Sequence, residues 1–176
     1  GEGGHAAQPH DAIDAIVVAS LIVMSLQTIV SREVNPLYPS IVSVGRIQGG
    51  SVPNAVAETA KLSGTIRTTE TQIRTQIMSG ITRIVDAAGI LHNADVSVDF
   101  TMGYPSVINT VKESEIAREA VRNIIDDKAL VDGQFASMGG EDFSYYLEKI
   151  PGCLVRLGAQ KDGLESIPAH SSTYDF

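Results

Sequence analysis

Apolar and polar positions recur with two different periods along this chain. Residues 12 to 30, AIDAIVVASLIVMSLQTIV, are apolar around more than half of a helical circumference and predict one long helix ending near Ser31, with Asp11 after Pro9 as its N-cap. VNPLYPS, residues 34 to 40, reads as a loop, and IVSVGRIQGG, 41 to 50, as a strand with a glycine-rich exit. Over 57 to 69 the pattern alternates: Leu62, Gly64 and Ile66 share one face, and Lys61, Ser63, Thr65 and Arg67 the other. Ile73, Ile77, Ile81, Ile84 and Ala88 then form a helical stripe over 70 to 88, with Gly89 as its expected C-cap. Alternation returns over 94 to 102, where Val96, Val98, Phe100 and Met102 oppose Asp95, Ser97, Asp99 and Thr101.

The order helix, strand, strand, helix, strand becomes β-α-β-β-α-β if a strand ends at Gly1. The predicted class is α+β: a ferredoxin-like β-α-β-β-α-β sandwich whose first strand is truncated, spanning residues 1–110. Residues 111–176 differ in pattern. A helix over 112 to 126 carries Ile116, Ala117, Ala120, Val121, Ile124 and Ile125 on its expected buried side. A glycine turn and a short helix ended by Pro151 follow, then CLVRLG as a buried strand holding Cys153, then a loop. So few elements close a core poorly on their own, and they read as the C-terminal part of a larger α/β domain.

Composition narrows the partners. The net charge is −8 with no basic cluster, which argues against nucleic acid. One cysteine, with no possible internal disulfide, fits a reducing, cytoplasmic setting. The run at 12 to 30 is close to membrane-spanning length, but Asp14, Ser20, Ser25, Gln27 and Thr28 interrupt it; a buried helix is the better reading, and no membrane partner is expected.

The candidate chemistry starts at GEGGHAAQPH. His5 and His10 are five apart with a proline between them, which does not suit two imidazoles on one helix face. The absence of GxGxxG and GK[ST] patterns argues against a phosphate loop. Glycines ahead of His5 allow it to project into a cleft, whereas His10, beside Pro9, reads as structural. His170, in a loop of small polar residues, is either a solvated histidine or a ligand or acid–base group; His92 reads as a surface residue in a turn. Glu141 and Asp142 in GGEDF suit capping of the helix that follows. Asn54 in GGSVPN offers an amide, and Arg67 at a strand end offers a guanidinium fork that can hold a carboxylate or simply face solvent.

Taken together, GEGGHAAQPHDAIDAI, GGSVPNAVAETAKLSGTIRT, SMGGEDFSYYLEKIPG and IPAHSSTYDF resemble the metal-dependent amidohydrolases that include aminoacylase, hippurate hydrolase and the indole-acetyl-amino-acid hydrolases. The resemblance implies a lid and dimerisation domain at 1–110 and the C-terminal segment of a catalytic domain at 111–176. It implies cleavage of the amide bond of N-acyl amino acids by a metal-activated water. His5 would be the catalytic donor to the scissile carbonyl, usually in the partner subunit's site; Asn54 and Arg67 would bind the substrate carboxylate; His170 would be a metal ligand. Two divalent ions (zinc, manganese, cobalt or nickel) are implied for the complete enzyme, with at most one ligand in this sequence, so the chain alone is expected to be inactive. A homodimer through the lid is expected. NAVAE departs from the family's more usual NVIPD beside Asn54. The competing readings are a non-catalytic dimerisation or ligand-binding module derived from the lid, and a small-molecule sensor of the same fold.

Overall fold

The computed structural model describes residues 1–131, 137–158, 167 and 171–174. It divides into two compact units, one of Gly1–Ser106 with Ala136–Gly140 and one of Val107–Phe135 with Glu141–Phe176.

The first unit is built on a hairpin. β2 (Ser40–Gly49) and β4 (Ala60–Thr68) pair antiparallel from Ser40↔Thr68 at one end to Gly49↔Ala60 at the other. The register shifts between Val44 and Arg46, so Gly45 is the extra residue of a bulge. Gly64 sits opposite Val44, where a Cβ would lie 2.2 Å from the Ser43 carbonyl oxygen, so only glycine fits. Val42, Val44, Leu62 and Ile66 turn toward the core, while Lys61, Ser63, Thr65 and Arg67 are exposed, as the alternation predicts.

Two helices cover the hairpin. α1 (Ala15–Thr28) begins later than expected: Asp14 is the N-cap, its carboxylate accepting from the N–H groups of Ile16 (2.9 Å) and Val17 (3.3 Å). Asp11 instead closes a short 3-10 turn, Pro9–Asp11, because Pro9 fits the first position of that turn. α1 ends in a wide π turn, Ile29–Glu33. Gln76 and Arg83 of α2 (Thr71–His92) both bond Glu33, fastening the two helices together. Ala15–Glu33 is long and apolar enough to cross a membrane by length and composition. Its Val18, Ile22, Leu26 and Ile29 are nonetheless packed with Ile77, Ile81, Val85 and Ala88 of α2, which is the core of this unit. α2 runs past Gly89 and stops at Asn93 in the left-handed region (φ 51), a conformation asparagine tolerates. Gly89 serves closeness instead: a Cβ there would lie 2.6 Å from Val96 Cγ2. His92 is accordingly the last residue of α2 and half-buried, not a turn residue.

Two expectations about strands need correction. Residues 94–100 keep their alternation, with Ala94, Val96, Val98 and Phe100 packed on the core, whereas Met102 is exposed rather than inward, and 94–102 join no backbone ladder among the described residues. A further ladder forms where none was expected, between β1 (Gly4–His5) and β3 (Ala55–Val56). The observed sheets are therefore two antiparallel pairs, β1–β3 and β2–β4, in a mixed α+β unit.

In the second unit α3 (Val111–Ile124) has no buried residue, and its Ile116 and Ile124 lie open. CLVRLG joins no ladder among the described residues; Val155 and Leu157 are exposed and Cys153 is half-buried. The reason is local. The Asn109 side-chain amide takes both backbone groups of Leu154, donating to its carbonyl (3.0 Å) and accepting from its N–H (2.9 Å), where a neighbouring strand would bond. α4 (Ser144–Leu147) follows GGEDF, and Pro151 lies beyond its end. At the start of α3 the Thr110 hydroxyl donates to Glu113 and holds that carboxyl below its ordinary value.

Ile77 is fully buried, so Ile77→Ala should cost about 3 kcal/mol in denaturant unfolding. Asp14→Ala should cost about 1 kcal/mol and Asp11→Ala close to nothing, the order that identifies the cap. A lowered carboxyl stabilises above its unfolded value and loses that contribution as pH falls through the folded one. The protection of the Ser114 amide, which bonds the Thr110 carbonyl, should therefore fall toward acid once exchange is corrected for its intrinsic rate, and Glu113→Gln should remove that pH dependence.

Candidate functional site

The N-terminal glycines place the first candidate by allowing close backbone approach. A Cβ on Gly1 would lie 2.4 Å from the Ile13 carbonyl oxygen, and one on Gly4 3.0 Å from Ala12 Cβ. Glu2 bridges Ile13, and β1 then pairs with β3 in the register Gly4↔Val56 and His5↔Ala55. The Ala6 N–H donates to the Asn54 carbonyl at 3.1 Å. The ladder thus brings His5 and Asn54 within one rung of each other, both exposed.

The chain turns immediately after His5. The Gln8 N–H donates to the His5 carbonyl (2.8 Å), and the Ala7 N–H donates to His5 Nδ1 at 3.0 Å. A ring nitrogen that accepts an N–H bond carries no proton, so the neutral imidazole has its proton on Nε2. His5 is thereby an Nε2–H donor held by its own turn. His10 does not share this arrangement; its Nε2 lies 3.5 Å from the Asp11 carboxylate.

Arg67 is elsewhere. It pairs with Ile41, one rung from the Ser40/Thr68 end of the hairpin, and its Nη1 donates to the Met138 carbonyl at 2.7 Å. Asn54 lies in the connection at the Gly49/Ala60 end. Seven residue steps separate Ala60 from Arg67, about 23 Å along the strand. A dipeptide-sized molecule spans about 7 Å. His5 and Asn54 lie together near the Gly49/Ala60 end of the hairpin, and Arg67 lies near its Ser40/Thr68 end.

His170 lies outside the described residues. Among those described, no group of three or more His, Cys, Asp or Glu side chains is placed to hold a metal, so they do not by themselves make a metal centre. Glu141 accepts from the Phe143 N–H at 3.2 Å just ahead of α4, a turn-capping use of that carboxylate. A concavity of about 610 Å³ along α2, lined by Arg74, Met78, Arg83 and Phe100 among others, includes none of the candidate residues. The feature that sequence reasoning missed is the Met138 backbone carbonyl on Arg67, which no side-chain pattern announces.

Residues 1–93 match the peptidase dimerisation domain, and the chain belongs to that family, M20. Its relatives are hydrolases. It is 36% identical over 92% of its length to the N-acetyl-L-cysteine deacetylase of Bacillus subtilis. It is 38% identical, also over 92% of its length, to the N-acetyldiaminopimelate deacetylase of Priestia megaterium. The chain spans only 38% and 43% of those two proteins. Among solved structures it superposes with a TM-score of 0.66 on the Bacillus subtilis YXEP protein, described as a dinuclear metal-binding peptidase of the M20 family. That match has 28% identity and covers 82% of this chain and 36% of that one.

The His5 tautomer is directly measurable. Imidazole ¹⁵N spectra should show the Nε2–H form for neutral His5. Ala7→Pro, which deletes the donating N–H, should shift the ring toward a mixture of tautomers.

Proposed function

We propose that this chain is the lid and C-terminal portion of a metal-dependent amidohydrolase that removes the acyl group from N-acyl amino acids. The observation that carries the reading is the β1–β3 ladder, which sets His5, its Nδ1 accepting from the Ala7 N–H, beside Asn54. A neutral N–H donor stabilises the oxyanion that develops when the amide carbonyl is attacked, and it does so without a proton transfer. Arg67 and Asn54 hold the substrate's free carboxylate, Arg67 through its planar fork, and so fix the amide in register. The similarity to an N-acetyl-L-cysteine deacetylase and an N-acetyldiaminopimelate deacetylase favours small acyl groups such as acetyl; benzoyl, as in hippurate, and other bulky acyl groups follow the same chemistry.

The two sets of residues serve one substrate only if they come from two copies. In this reading the protein is a homodimer through residues 1–110, a ferredoxin-like lid. Each active site takes His5 and Asn54 from one subunit and Arg67 from the other. The separation of the two sets along the hairpin and the match to a dimerisation domain support it. Two divalent ions belong to the complete protein, with His170 as this chain's ligand and the remaining ligands supplied by residues outside it.

The full-length protein, reconstituted with zinc, manganese, cobalt or nickel, should release free amino acid from N-acetyl amino acids and lose that activity on chelation. His5→Ala should lower kcat about 10²- to 10³-fold, the loss of one oxyanion donor. Arg67→Ala should raise KM about 10- to 100-fold, the weight of one or two charge-assisted hydrogen bonds. A dimer that hydrolyses no N-acyl amino acid with any of these metals is instead the non-catalytic dimerisation module.

A further inference from the structure

Arg67 stands on the exposed face of β4, where a long side chain ordinarily samples many rotamers and must be ordered before it can bind anything. Here it is already held. The Met138 carbonyl, 71 residues further along the chain, accepts from Nη1 at 2.7 Å. The partner is a neutral carbonyl, so it uses one of five guanidinium donors, and among the described residues no carboxylate pairs with Arg67. A carboxylate in the same place would compete with an acidic ligand.

The loop that presents this carbonyl is shaped by small residues. Ser137 Oγ accepts from the Gly139 N–H at 3.2 Å, turning the chain around Met138. Gly140 lies against the Tyr104 ring, where a Cβ would sit 3.0 Å from Cδ2 and 3.5 Å from Cε2. The ring is in turn tied to the strand that carries Arg67, because two residues after Tyr104 the Ser106 hydroxyl donates to the Thr69 carbonyl at 2.8 Å. Arg67, Met138, Gly140, Tyr104, Ser106 and Thr69 therefore form a closed circuit of contacts.

We propose that the 137–140 loop is the positioning element for Arg67: the Met138 carbonyl fixes the guanidinium, and Gly140 lets the loop pass close against the Tyr104 ring. The proposal rests on the carboxylate-binding role given to Arg67 above. In this role Met138 and Gly140 act through Arg67, lowering the cost of ordering it.

The test uses the full-length protein and two variants, Gly140→Val, which presses on Tyr104, and Ser137→Ala, which removes the turn bond without adding bulk. Phenylglyoxal labelling read by peptide mass spectrometry requires no turnover. Arg67 should label about tenfold faster in Gly140→Val, the weight of one charge-assisted hydrogen bond. It should also label faster in Ser137→Ala, with exposed Arg46 unchanged in both. Unchanged labelling of Arg67 in Ser137→Ala, or in a Gly140→Val protein that keeps its thermal midpoint, overturns the proposal. In turnover, Gly140→Val should raise KM for an N-acetyl amino acid about tenfold with kcat held within about twofold, and add nothing to Arg67→Ala. A KM increase that persists in the Arg67→Ala background contradicts it. Absence of wild-type turnover counts against the amidohydrolase reading alone, and the labelling result still decides this one.

Discussion

The register of the β2–β4 hairpin is the constraint on which the first unit turns. A strand is rigid along its length, so whatever the ladder places at its two ends stays apart. Ser40↔Thr68 closes one end and Gly49↔Ala60 the other. The bulge at Gly45 and the close approach at Gly64 pin that register, since a slip would drive a side chain into the Ser43 carbonyl. Val42, Val44, Leu62 and Ile66 then face the α1–α2 layer, and Arg67 necessarily faces away from it. The connection at the Gly49 end reaches β3, which recruits β1 and with it His5. The fold thus delivers a hydrogen-bond donor at one end of a stiff element and a cation at the other.

That division gives the functional reading its form. An amidohydrolase of N-acyl amino acids needs a carbonyl donor and a carboxylate clamp a few ångströms apart, and this chain sets them toward opposite ends of a strand whose Ala60 and Arg67 are about 23 Å apart. In the proposed reading a second copy supplies the missing half of the site, and the match to a dimerisation domain supports that reading. The His5 turn and the Arg67–Met138 contact have the same physical purpose at the two ends: each fixes a side chain that would otherwise be mobile on an exposed surface.

Much of the first unit was readable from periodicity. The stripe from Ile73 to Ala88 and the alternation around Leu62 and Ile66 both reflect burial, which is what periodicity reports. The start of α1 was misplaced because Asp11 and Asp14 are equally good caps by type, and the 3-10 turn begun by Pro9 decides between them. β1 and β3 are two residues each, too short to alternate. Residues 94–102 and CLVRLG show the opposite limit: side-chain pattern predicts faces, whereas a strand also requires a backbone partner. His5, Asn54 and Arg67 stood out by residue type and by resemblance to known amidohydrolases. Their separation did not, because it depends on a ladder register that no single segment contains. Met138 was invisible because its contribution is a carbonyl common to every residue.

The most direct test is complementation between two single variants of the full-length protein. His5→Ala and Arg67→Ala homodimers should each be impaired. Mixed by co-expression or subunit exchange, they should form heterodimers in which one site regains both residues and the other lacks both. Random mixing then recovers roughly a quarter of wild-type turnover, because half the dimers are mixed and each holds one intact site. Activity of the mixture no higher than the average of the two homodimers would contradict the assignment of His5 and Arg67 to one site drawn from two subunits.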